Sequence, residues 1–307
     1  MSKNLAAPIA ILFLGAITCS SAIIMIKASK MDPVLVAGYR LLLAGMFLLP
    51  LYLRDLKKEN KKVKDTLFSC KPGMILGLHF ISWVIGCRMT YAANATLIVN
   101  MVPAVMPFIL YFIIREVLTK REVLGSLVAV TGVFILIMSD FKLNAAHFRG
   151  DLVCFGSMTL FALYLVFSRK YRDSGSIWLY TVPLYISGGL LCFTISACRG
   201  IGPWVGLNLI EAVYLLLLAV LPTIIGHSSL NYSMKVLRGQ LVGVLNLSQF
   251  VFAAIYGYIF FAEIPGQVFY ISVICLLGGI YIVITGKETP VNKEELAVNE
   301  KEECGSI

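Results

Sequence analysis

Two histidines stand four residues ahead of another side chain suited to holding a solute: His79 before Trp83, and His227 before Asn231. On a helix an i, i+4 pair shares one face, so each pair is presented together. A neutral imidazole donates one hydrogen bond and accepts another, and it titrates close enough to neutrality to carry a proton. An indole face attracts flat or cationic groups. Asn246, Gln249 and Tyr256 follow at i, i+3 and i+10, again one helical face, and Asn100 adds a further amide. Together these side chains form a set that binds by hydrogen bonding. Each also has a plainer use: a histidine tied to a neighbouring backbone, or an amide joining two helices at ~0.6–2 kcal/mol.

Groups for covalent chemistry are missing. The chain has no H-E-x-x-H zinc motif, no G-x-S-x-G nucleophile elbow and no Walker sequence. No catalytic residue, metal ligand or cofactor is therefore assigned, and ATP-driven work by this chain alone is not expected. The eight cysteines are scattered without metal-like spacing and read as small apolar side chains.

The elements that must position the polar set are membrane spans. Of 307 residues, 59% are hydrophobic and only 14% charged, with a mean hydropathy of +0.85. Soluble domains carry ~25% charged residues, so this chain needs an apolar solvent. Windows of ~20 apolar residues, the length that crosses a bilayer, recur near 7–27, 33–53, 72–92, 95–115, 121–139, 151–170, 176–197, 210–232, 239–261 and 266–286. The expected fold is an all-α integral membrane protein with ten transmembrane helices. Long continuous runs exclude the short alternating segments of a barrel. The first span is longer than a signal-peptide core and reads as an uncleaved helix.

Charge orients the spans. With the N-terminus in the cytoplasm, nineteen of the 26 Lys and Arg fall on that side and six on the other. This positive-inside bias places both termini in the cytoplasm. It also accounts for the net charge of +9 without a nucleic-acid partner; the partners expected are the lipid bilayer and a small-molecule solute. The run "RDLKKENKKVKD" (54–65) reads as a topology determinant at anionic headgroups. Arg40 is the remaining cation, about seven residues inside the second span. It either snorkels to the outer interface or clamps an anion in an internal cavity. The 17 acidic residues lie in loops, tails or terminal turns, with Glu116 and Glu263 at span ends as ties or gates.

The chain repeats itself. "ATLIVNMVPAVMPFILYFIIREVLTKREVLGSLVAVTGVFILI" (95–137) lies over "VGVLNLSQFVFAAIYGYIFFAEIPGQVFYISVICLLGGIYIVI" (242–284) at a constant offset, with Glu116 on Glu263 and Gly132 on Gly279. Five spans per copy is an odd number, so the second copy enters the membrane upside down. The expected division is 1–142, 143–286 and a charged tail, 287–307. Inverted repeats recur in secondary transporters, whose substrate site lies near the midplane between the halves. Pro103 and Pro107 have no counterpart in the second copy, where Phe250 and Ala254 stand, so they are expected to bend the fourth span alone.

The stretch 77–137 and its second copy resemble the repeat of the EamA group within the drug/metabolite transporter superfamily, including the "RE" and "AE" dipeptides that end in Glu116 and Glu263. The resemblance implies a central cavity surrounded by helices one, three, four, six, eight and nine, with the fifth and tenth outside. It does not specify a substrate. The small multidrug relatives use a first-helix glutamate, whereas this chain has Thr18, Cys19, Ser20 and Ser21 there, so proton-coupled cation export by that route is disfavoured. The expectation is a secondary transporter of a small polar organic solute, an amino acid or related metabolite, working by alternating access. A non-transporting receptor or scaffold, and a membrane-embedded lipid-modifying enzyme, are the rival readings.

Overall fold

Short polar signals start and stop the helices. Asp32 accepts from the Val34 amide at 2.9 Å and Pro33 follows at the first turn, so helix α3 begins there and runs Pro33–Lys58. Ser176 caps helix α9, Ile177–Cys198, and Asn208 caps α10, Leu209–Leu218. The structure, a computed structural model, describes residues 6–90, 92–140, 148–171, 173, 175–261 and 267–285. Before α3 come α1, Ala6–Ser20, and α2, Ala22–Ala28. A 3-10 turn at Val63–Ser69 leads into α4, Cys70–Met89. Next come α5, Ala92–Asn100; α6, Val102–Ile114; α7, Lys120–Asp140; and α8, Phe148–Lys170. After α10 the chain passes through a π-helical stretch, Ala219–His227, into α11, Ser228–Val236. Helices α12, Gly239–Asn246, α13, Gln249–Phe261, and α14, Gln267–Ile284, complete the fold.

Among the described residues, nine helical stretches are long and apolar enough to cross a bilayer. Helix α7 occupies the position of the fifth expected span. Helix α3 extends five residues beyond its expected end, into the basic stretch, where Arg54, Lys57 and Lys58 reach water from the last turns. Large apolar side chains cover the outside, with Phe112, Ile274 and Tyr281 mostly exposed, while the buried set includes many polar groups. That distribution suits lipid, which solvates apolar surface and cannot satisfy polar atoms.

Four helix pairs dominate the packing: α3 with α9, α7 with α14, and α4 with both α8 and α9. Small residues let them approach. A Cβ on Gly77 would lie 2.8 Å from the Gly188 carbonyl oxygen, and one on Gly125 would lie 2.6 Å from that of Gly279. Such close backbone contact is how helices associate where no hydrophobic effect draws them together. The α7–α14 contacts are reciprocal. Gly125 meets Gly279 near one end, and Ser272 bonds the Gly132 carbonyl at 2.7 Å near the other.

The fourth-span break is not proline's doing alone. The helix breaks at Met101, between α5 and α6, with Pro103 in the first turn of α6 and Pro107 inside it. The ninth span breaks at Leu247 and Ser248, between α12 and α13, with no proline. Both breaks tighten into three-residue bonds: Met101 N to Ile98 O and Ala104 N to Met101 O in one, Ser248 N to Leu245 O and Val251 N to Ser248 O in the other. The expectation that only the fourth span bends is therefore corrected.

Candidate functional site

The breaks converge on a polar cavity. It is bounded by the α1–α2 junction, α3, α4, α5, α8, the π-helical stretch and α13, and leaves about 40 Å³ open to the centre of a water molecule. That is room for a few waters and no more.

Arg40 projects into it from α3, 1% exposed, so it does not snorkel. Its Nε donates to Thr223 Oγ1 at 3.0 Å, and the guanidinium lies 3.7 Å above the centre of the Phe80 ring. Thr223 is placed by the π-helical turn, its hydroxyl bonding the Leu218 carbonyl five residues back at 2.8 Å. No carboxylate pairs with Arg40 among the described residues.

The two histidines meet across the cavity, ring centres 6.5 Å apart. His79 Nδ1 lies 3.0 Å from the Ser157 carbonyl oxygen, which can only accept, so Nδ1 carries the proton and Nε2 the lone pair. For that nitrogen the plainer use, a bond to a neighbouring helix backbone, is what the structure holds. His227 is different. It sits edge-on to Phe80 at 4.8 Å and beside Phe161, and its buried Nδ1 has no hydrogen-bond partner.

A chain of amides forms another wall. Asn100 donates to the Thr96 carbonyl at 2.8 Å and accepts from Asn246 at 3.0 Å, while Asn246 accepts from Gln249. Asn100 and Gln249 line the cavity, and Asn246 bridges them from behind. Trp83 lines it too, only 7% exposed. Two expected members stand elsewhere. Asn231 turns away from His227, its Oδ1 accepting from Tyr164 and Ser168 at 2.6 Å each. Tyr256 is half-buried against α1, bonding the Ile17 carbonyl at 3.2 Å, two turns along α13 from the cavity-lining Gln249. Thr223, Phe80 and Ser157 were missed. Pro222, one residue before Thr223 inside an apolar run, was the signal for a disturbed turn there.

Two clusters of charged residues tie helix ends together outside the cavity lining. In one, Glu211 accepts from Ser29 and the Lys30 amide, and Arg88 donates to the Ile26, Ser29 and Met31 carbonyls, covering the C-terminus of α2. In the other, Glu116 pairs with Arg169 at 3.0 Å and accepts from the Gly239 amide at 3.2 Å. Glu122 pairs beside it with Arg238 at 2.5 Å. Glu263 lies outside the described residues. Beyond α3, Glu59 receives bonds from Lys61 and from the Ser176 amide. Burial raises its pKa, but those bonds and the Lys61 charge outweigh it and hold the carboxyl below its usual range.

Fold and site define a class: a multi-pass helical membrane protein with a polar cavity between its helices. The model of the EamA-like transporter family matches residues 6–138 and again 148–285. The chain belongs to the EamA-like transporter family, and it is a membrane transporter. It is similar to an "uncharacterized transporter" of Methanothermobacter thermautotrophicus, 25% identical over 84% of this chain and 80% of the relative. It also resembles an "uncharacterized protein" of Haemophilus influenzae, 31% identical over 28% of this chain and 67% of the relative. A solved crystal structure superposes with a TM-score of 0.71 at 16% identity, covering 90% of this chain and 96% of the other, and so shares the fold.

Proposed function

We propose that this protein is a secondary transporter that moves a small polar organic solute, an amino acid or related metabolite, by alternating access. The observation that carries this reading is a polar cavity lined from both copies of the repeat; in this reading the Glu211–Arg88 and Glu116–Arg169 clusters are the ties that part when it opens to one side or the other. Ten spans arranged as two inverted halves are supported by the reciprocal packing of α7 on α14 and by the paired breaks at Met101 and Ser248. Such halves rock against each other around a central site. Arg40, His79, Trp83, Asn100, His227 and Gln249 meet the solute, with Asn246 behind them. At about 40 Å³ the cavity is too small for such a solute, so entry requires the halves to move and enlarge it. The basic loops keep both termini in the cytoplasm of a cell membrane.

Counterflow in proteoliposomes of the purified full chain tests the proposal against labelled amino acids, organic acids and sugar phosphates. Saturable exchange of at least one is expected; a folded protein that exchanges none refutes it. A pH gradient across the same vesicles asks whether a proton on His227 accompanies the solute. Rates indifferent to the gradient and to His227→Ala remove that coupling.

A further inference from the structure

A buried cation in a membrane bundle is costly unless an anion or several acceptors meet it. Arg40 is almost fully buried, yet among the described residues only its Nε is hydrogen-bonded, to Thr223. Nothing bonds the two terminal nitrogens, the fork that binds carboxylate or phosphate bidentately. The anchor fixes that fork in place: Thr223 holds one edge of the guanidinium and Phe80 supports its face. The same π-helical turn that carries Thr223 ends at His227, which also lines the cavity and whose buried Nδ1 has no partner among the described residues. Among the described residues no acidic side chain lines the cavity, which leaves the fork open to an anion from outside the protein.

We infer that the cavity is an anion site, in which Arg40 and His227 receive the carboxylate or phosphate group of the transported solute while the Asn100–Gln249 wall hydrogen-bonds its uncharged remainder. The assignment of that anion as cargo rests on the transport reading; binding at Arg40 does not. Arg40 donates through its fork, and His227 donates from its protonated ring. Trp83 and Phe161 supply the apolar sides. A cationic solute would place its charge against Arg40 and is rejected.

The test is thermal denaturation of the purified full-length protein in detergent, with sodium acetate, sodium phosphate or the neutral isostere acetamide as probe. Ionic strength is held constant with a bulky sulfonate too large for the cavity. Acetate or phosphate is expected to raise Tm saturably, by roughly 2–4 °C at tenfold excess over Kd, with acetamide inert. Whichever anion acts identifies carboxylate or phosphate as the group recognised. The shift should vanish in Arg40→Gln and persist, weakened, in Arg40→Lys. Equal shifts in wild type and Arg40→Gln, a shift with acetamide equal to that with acetate, or no saturable shift with either anion would overturn the anion site. Should Arg40→Gln not fold, the acetate–acetamide comparison in wild type and Arg40→Lys decides alone. Counterflow separates the two readings. Anion binding without exchange of any solute refutes transport and leaves the site standing; exchange of neutral amides in preference to the matching acids refutes the site and leaves transport standing.

Discussion

Replacing Glu116 with alanine should open one end of the cavity. The carboxylate holds Arg169 at 3.0 Å and the Gly239 amide at 3.2 Å, tying the end of the fourth span to α8 and α12, with side-chain exposures of 11% and 5% for Glu116 and Arg169. Breaking a buried pair by removing one partner costs about 3–5 kcal/mol when the other charge is stranded. Arg169 keeps its bond to the Met234 carbonyl, so the loss here is smaller, about 2–3 kcal/mol. If the tie exists only in the closed form, all of that loss shifts the closed–open balance, by roughly 30–150-fold. Hydrogen exchange reads this directly. Amides of residues 234–241 should exchange faster by that factor in Glu116→Ala, with those of α3 and α9 unchanged, and Glu116→Gln should fall between. The double variant with Arg169→Ala should cost less than the two single variants summed. A uniform fall in stability with no local rise in exchange at 234–241 would mean that Glu116 is a static brace, and the gating argument would be wrong.

Three further outcomes are expected. Asn246→Leu leaves Asn100 Oδ1 and Gln249 Nε2 without their partner, so it should lower stability by about 1–3 kcal/mol and weaken solute exchange, as thermal melts and counterflow would show. Pro103→Ala should leave exchange kinetics unchanged, because the ninth span breaks at the matching place without proline; a large change in KM or rate would restore the proline to the mechanism. Glu59 has a depressed folded pKa, so its contribution is present above its unfolded value of ~4.3 and lost as pH falls through the folded one. Wild type should therefore lose more Tm than Glu59→Gln as pH drops below that value, and parallel curves would contradict the shift.

Much of this protein was legible in the chain because lipid imposes few solutions. Apolar runs of ~20 residues must be helices, since backbone groups find no other partners in hydrocarbon. The offset repeat aligned Gly132 with Gly279, but that Gly125 meets Gly279 and Ser272 meets Gly132 came from the packing of α7 on α14. The site was legible only as a set of unusual polar residues. Histidine spacing suggested that His79 and His227 share the cavity, but not that Ser157 claims one ring nitrogen while His227 keeps one unpartnered.

What only the tertiary structure decided follows from helical phase and from neighbours distant in sequence. The break at Leu247 and Ser248 separates Asn246 on α12 from Gln249 and Tyr256 on α13, and Tyr256, two turns beyond Gln249, packs against α1 outside the cavity. Asn231 is withdrawn by Tyr164 and Ser168, residues more than sixty positions away. Arg40 had two destinations in the sequence, interface or interior, at similar depth in the span. Its place beneath Thr223 and Phe80 was set by a π-helical turn in the other half of the chain. The sequence by itself determined the solvent, the spans and the repeat, because those depend on local composition and period. Which polar groups keep an unpaired donor was settled by the fold, because pairing depends on partners that only packing brings within bonding distance.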